Sequence, residues 1–211
     1  MLHNINPPYL IKKIYSQFKW DTSNNKVLLT FDDGPNPGTT EKILLALNEF
    51  NIRALFFCVG TNVERYNSLT NQIIDEGHVV GNHTINHKLL IKLNEKDALR
   101  EIKSFNSLML ENFNYIVRYF RPPFGWFKFN TGKMMQKTGL TCVMWNLVTY
   151  DYHANLEKVK RIVDNYLQSN SIIVLHDSNK TTDIIVDSIK YIVDKAGKHN
   201  FEFGAPEECL N

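Results

Sequence analysis

Short apolar runs recur along the chain at 27–31, 54–59, 78–80, 117–120, 140–145, 171–175 and, more faintly, 201–203. Rich in β-branched or aromatic residues and bounded by Gly, Asn, Asp or Pro, they predict buried strands. Helical spacing fills the gaps. Thr39, Thr40 and Glu41 open a segment reaching Phe50, with Ile43, Leu44 and Leu47 on one face. Residues 62–76 stop at Gly77, 94–112 place Leu99, Ile102, Phe105, Leu108 and Met109 at helical intervals, and 155–168 and 182–195 repeat the pattern. Residues 10–20 form a short basic amphipathic stretch. Seven strands alternating with about six helices predict a parallel βα architecture. At 211 residues the chain is short for eight units. The expected fold is an α/β distorted, incomplete (β/α) barrel of about seven parallel strands. Residues 1–25 are expected to form an N-terminal extension packing on the barrel of residues 26–211.

Composition narrows the function classes only a little. A hydrophobic fraction of 43% with 22% charged residues is ordinary for a globular domain. The net charge of +2 gives no electrostatic argument for nucleic acid, and none is expected as a partner. No apolar run is long enough for a transmembrane segment. Tyr9, Leu10 and Ile11 are the longest apolar stretch before Lys12 and Lys13, so no signal-peptide core is visible. That predicts a cytoplasmic location, or the cell envelope or exterior if the N-terminus is truncated or export is non-standard. Three cysteines imply no disulfide framework. Cys58 and Cys142 read as small buried hydrophobes.

The polar clusters gather after strand ends, where α/β folds keep their active sites. Asp32, Asp33, Gly34 and Pro35 follow the first run, and His83 and His87 follow the third. Imidazoles four apart share a face if the stretch is one helical turn, and the aspartates offer a carboxylate. Two histidines and a carboxylate with one open position form a hydrolytic zinc ligand set. Both aspartates serve one site only if the strand ends there, since neighbours on a strand face opposite ways. After the fourth run, Pro122 and Pro123 fix a loop that presents Arg121 to a carboxylate bidentately, with Asp32 and Asp151 as candidates. Phe124 and Gly125 each offer a backbone N–H to a developing oxyanion. Asp151 is either a turn residue or the carboxylate that orients a histidine. Tyr152 and Trp126 are candidates to stack on a sugar ring. His176 ends the sixth run, at the barrel mouth.

These five clusters, in this order, resemble the polysaccharide deacetylase family, the NodB-homology domain of family 4 carbohydrate esterases. The resemblance runs from about Val27 to Lys195. It implies a distorted (β/α) barrel and a divalent metal, usually zinc and sometimes cobalt or nickel. It assigns Asp33, His83 and His87 as metal ligands, Asp32 as general base and Arg121 as the residue holding that base. His176 resembles the general acid and Asp151 the carboxylate that tunes it. Three positions depart from the family pattern. Val148 stands where many relatives carry aspartate, Tyr152 replaces a common tryptophan, and Val174 replaces a leucine. The last two still supply apolar surface for an acetyl pocket. The implied activity is removal of N-acetyl groups from N-acetylglucosamine units of a polysaccharide, either peptidoglycan or a chitin-like polymer. The implied partner is therefore an acetylated glycan. The alternatives are an O-acetyl esterase on xylan-type glycans and a catalytically silent sugar-binding module of the same fold.

Overall fold

The computed structural model describes residues 5–211; His3 and the first four positions of the expected extension lie outside the described residues. One sheet of seven parallel strands organises the protein: β1 (Leu28–Asp32), β2 (Leu55–Cys58), β3 (Val79–Asn82), β4 (Tyr119–Phe120), β5 (Thr141–Cys142), β6 (Leu147–Val148) and β7 (Ile172–His176). Their order is β5-β4-β3-β2-β1-β7-β6. This is the incomplete barrel that the alternation predicts. β1 lies inside the sheet between β2 and β7, and all five of its residues are buried. Leu28, Leu29 and Phe31 are wholly buried, and each such side chain contributes about 2 kcal/mol. Because all strands run the same way, their carboxyl ends share one rim. In register, Asp32 sits beside Phe57 on one side and His176 on the other.

Around the sheet lie α1 (Tyr9–Ile14), α2 (Thr40–Glu49), α3 (Gly60–Arg65), α4 (Asn67–Asp75), α5 (Glu95–Phe113), α6 (Thr131–Thr138), α7 (Leu156–Tyr166), α8 (Ile185–Lys198) and α9 (Pro206–Cys209). Asn94 and Asn155 cap α5 and α7 by accepting from the amides of Asp97 and Lys158, each at 2.9 Å. At α2 the expected threonine cap is absent. The Thr40 hydroxyl donates instead to Asp177, and Glu41 accepts from the Gly38 amide.

Two elements differ from the pattern reading. The helix expected over 62–76 is two helices meeting at Tyr66, whose φ of −123° is not helical. Asn67 and Ser68, weak helix formers that compete for the backbone, follow the break. The strand that completes the seven is β6, Leu147–Val148, rather than 201–203. The latter makes only an isolated bridge from Phe203 to Val27. Ahead of β1, Phe18 and Trp20 are buried. Tyr15, Phe18 and Trp20 ring the edge of Phe127 with centroids 4.6–6.2 Å away. All three cysteines are free and buried, Cys209 included. Among the described residues no helix is long and apolar enough to cross a membrane.

Candidate active site and metal centre

β1 ends at the residue the chemistry requires. Asp32 is the last strand residue and keeps its extended pairing, while Asp33 turns to φ 80°. A left-handed, non-glycine residue costs about 1–2 kcal/mol, and here it swings the second carboxylate to the same side as the first. Gly34 follows because a Cβ there would lie 2.2 Å from the Asp177 carboxylate. The Asn62 side chain holds the turn by donating to the Asp33 carbonyl at 2.8 Å.

His83 and His87 do meet, but not on a helical turn. Thr84 and His87 are both left-handed, at φ 69° and 53°, and the segment is a loop. Its shape is imposed by buried partners rather than by local periodicity. The Asn82 side chain accepts from the Thr84 amide at 2.7 Å and donates to the Ile102 carbonyl at 2.8 Å. The result brings the Nε2 atoms of His87 and His83 to 3.1 and 3.7 Å from Asp33 Oδ1. Donor atoms of these three residues all lie within 4.8 Å of one another. The separations bracket the edge, about 3.4 Å, of a tetrahedron with bonds of about 2.1 Å. The donor set therefore fits a small divalent ion.

Protonation favours the same reading. His83 Nδ1 lies 2.7 Å from the Arg121 carbonyl. A carbonyl only accepts, so Nδ1 carries the proton and Nε2 keeps its lone pair. Burial drives the His83 pKa down to about 4 against the pull of Asp32, leaving the ring neutral at pH 7. For Asp33, burial opposes the charge, but the His87 hydrogen bond and the surrounding imidazoles hold the carboxyl well below the usual range.

Arg121 is wholly buried. Of the two candidate carboxylates it takes Asp32, and with one nitrogen rather than the expected fork. Nη1 donates to Asp32 Oδ1 at 2.8 Å and to the Thr30 hydroxyl at 2.7 Å. Nε and Nη2 are spent on the carbonyls of Val143 and Met144. The guanidinium also lies 4.2 Å over the Phe57 ring. Its geometry is thus fixed on four sides, and a charge buried this deeply persists only because it is fully partnered.

Across the rim, Asp151 is completely buried and grips His176 twice. One oxygen accepts from the His176 amide and the other from Nδ1, each at 2.7 Å. Burial disfavours the imidazolium, yet Asp151, with Asp33 and Asp32 beyond it, raises the His176 pKa to about 9. The ring is thus charged at neutral pH, with Nε2 left for the cleft. Tyr152 stands edge-on to it at 5.0 Å.

A cleft of about 690 Å³ joins these groups. Asp32, Asp33, His83, His87 and His176 line it, and Trp145, Val148, Tyr152 and Val174 form an apolar wall. Phe124 and Gly125 also line it, Phe124 left-handed at φ 61° with its ring 4.6 Å from His87. Only one of the two amides is available, because the Gly125 N–H already donates to the Pro122 carbonyl at 3.0 Å. Gly125 is itself needed, since a Cβ would meet the Trp145 ring at 2.1 Å. Trp126 is half-buried and does not line the cleft. Thr30, Asn82, Glu101 and Asp177 hold the site and carry no motif of their own. Glu101 alone left a sequence signal, a charge on the apolar stripe of a predicted helix.

The model of the family described as "Polysaccharide deacetylase" matches residues 19–143. The chain belongs to the polysaccharide deacetylase family. It is 34% identical over 142 residues to a peptidoglycan-N-acetylglucosamine deacetylase of Bacillus cereus, covering 67% of this chain and 52% of that protein. It is 31% identical over 178 residues to the peptidoglycan-N-acetylmuramic acid deacetylase PdaC of Bacillus subtilis, covering 83% of this chain and 37% of the other. The chain therefore spans about half or less of these relatives' length. Among solved structures, the Bc1960 peptidoglycan N-acetylglucosamine deacetylase superposes with a TM-score of 0.88 at 26% identity, covering 96% of both chains. The deacetylase fold accounts for the open sheet and for the common rim on which all five clusters lie.

Proposed function

We propose that this chain is a metal-dependent hydrolase that removes N-acetyl groups from N-acetylglucosamine units of a polysaccharide, peptidoglycan or chitin-like, releasing acetate. The observation that carries the proposal is the pairing across one cleft: a two-histidine, one-aspartate set on one wall and a histidine gripped by a buried aspartate on the other. The relatives named as peptidoglycan deacetylases, and a chitin deacetylase of Saccharomyces cerevisiae at 34% identity over 131 residues, support this substrate class.

Asp33, His83 and His87 would hold the ion, with zinc the best fit to the donors and cobalt or nickel as substitutes. A bound ion supplies a Lewis acid for the acyl carbonyl and lowers the pKa of water to about 7. Asp32 takes the proton of the attacking water, and Arg121 holds that carboxylate in place through its 2.8 Å hydrogen bond. The Phe124 N–H donates to the developing oxyanion. His176 protonates the departing amine nitrogen, and Asp151 keeps that proton available at neutral pH. Trp145, Val148, Val174 and Tyr152 enclose the methyl group.

The test is acetate release from chitooligosaccharides, peptidoglycan and acetylated xylan, with zinc and with a chelator. Chelator-sensitive release from an amide-linked substrate supports the proposal. Release from acetylated xylan alone would make this an O-acetyl esterase. Absence of both release and bound metal would leave a sugar-binding module.

A further inference from the structure

Glu101 lies in the middle of α5, on the stripe formed by Ala98, Ile102 and Phe105, and is buried. Glutamate is almost never buried unless paired, and Glu101 plays no part in the chemistry above. Its carboxylate accepts from the Asn86 amide at 3.1 Å and from the Asn86 side chain at 3.0 Å. Lys88 Nζ reaches it at 2.8 Å. Its backbone carbonyl accepts from the Ile85 amide at 3.1 Å. One glutamate thus grips the residues on both sides of His87, itself left-handed. An unrestrained chain would relax that φ towards the usual basins and carry the imidazole away from Asp33.

We propose that Glu101 is a positioning residue for His87, acting through Asn86 and Lys88 to set the imidazole for metal capture. The proposal rests on the reading of Asp33, His83 and His87 as ligands. Lys88 balances the buried charge, so the grip is ionic as well as hydrogen-bonded. Glu101→Gln keeps the volume and one acceptor oxygen, but turns an amide donor towards Asn86 or Lys88.

Zinc affinity, measured by competition with a chromophoric chelator on metal-free protein, separates this role from simple stabilisation. Partners behind metal ligands typically contribute 10–100-fold in affinity. Glu101→Gln should weaken zinc binding by about that factor, and Glu101→Ala more. Melting of metal-free Glu101→Gln should move by only a few degrees. Lys88→Ala should weaken zinc binding by less than Glu101→Gln, and Lys103→Ala, on the exposed face of α5, should change nothing. If Glu101→Ala does not fold, Glu101→Gln carries the test. Wild-type zinc affinity in folded Glu101→Gln overturns the proposal. Failure of the wild-type protein to bind zinc at all overturns the ligand reading instead.

Discussion

His83 and His176 occupy the same rim, yet their environments drive them in opposite directions. Burial outweighs the pull of Asp32 and Asp33 and takes His83 down to about 4, whereas a fully buried aspartate 2.7 Å away takes His176 up to about 9. The ligand role proposed for His83 needs a lone pair and the acid role proposed for His176 needs a proton. The fold supplies each by choosing the partner of Nδ1: a carbonyl for His83, a carboxylate for His176. The contrast shows that identity of residue type says little about role, whereas the atom behind the ring says much.

The most disruptive way to break this contrast is to remove the ligand wall. Asp33→Ala or His87→Ala should lose bound metal and bring acetate release to background, read by metal analysis beside activity. Retained metal with full turnover in either variant would sink the ligand assignment. Asp32→Asn should divide the two functions of the neighbouring carboxylates, keeping metal while turnover falls by about 10²–10⁴-fold. A metal-free Asp32→Asn preparation would contradict the role given to Asp32.

On the other wall, Asp151→Asn removes the charge that holds the His176 proton. With that attraction gone, the His176 pKa should fall towards or below the ordinary 6.5, so the alkaline limb of the rate profile moves to lower pH. At pH 8 turnover should drop by about tenfold or more, one pH unit of deficit being one factor of ten. An unmoved limb would rule out this pairing as its origin. Linkage gives an independent readout in metal-free protein. The raised pKa means that the pair stabilises the fold fully below about 6.5, and that this contribution is lost as pH rises through about 9. Urea unfolding across that range should show a decline in the wild-type protein and a flatter profile in Asp151→Asn. The smallest effect belongs to the wall of the cleft. Tyr152→Phe keeps the ring against His176 and should alter kcat/KM by no more than about threefold, under 1 kcal/mol. A hundredfold loss would give that hydroxyl a chemical part.

Residues at strand ends were legible because an apolar run followed by Asp-Asp or His announces its own boundary. The turn at Asp33 could be required from the sequence, since the alternation of a strand would otherwise separate the two carboxylates. The histidine loop was not legible in shape. Its left-handed residues are held by Asn82 and Glu101, which lie outside any local period. β6 is invisible to pattern because two residues show no alternation, and 201–203 has a strand's pattern yet makes only an isolated bridge. The cost of Gly125 as an oxyanion donor could not be seen either, since it depends on a turn bond to Pro122.

The sheet order has a consequence for synthesis. β1 waits between β2 and β7, so Asp32 meets its neighbour His176 only after the intervening chain of more than a hundred residues has been made and folded back. Such a contact is costly to close and arrives late. A chain still emerging from the ribosome would carry the carboxylate pair and both loop histidines without their acid. Under the proposed function, hydrolytic competence would therefore arrive only when the last strand slides in beside the first.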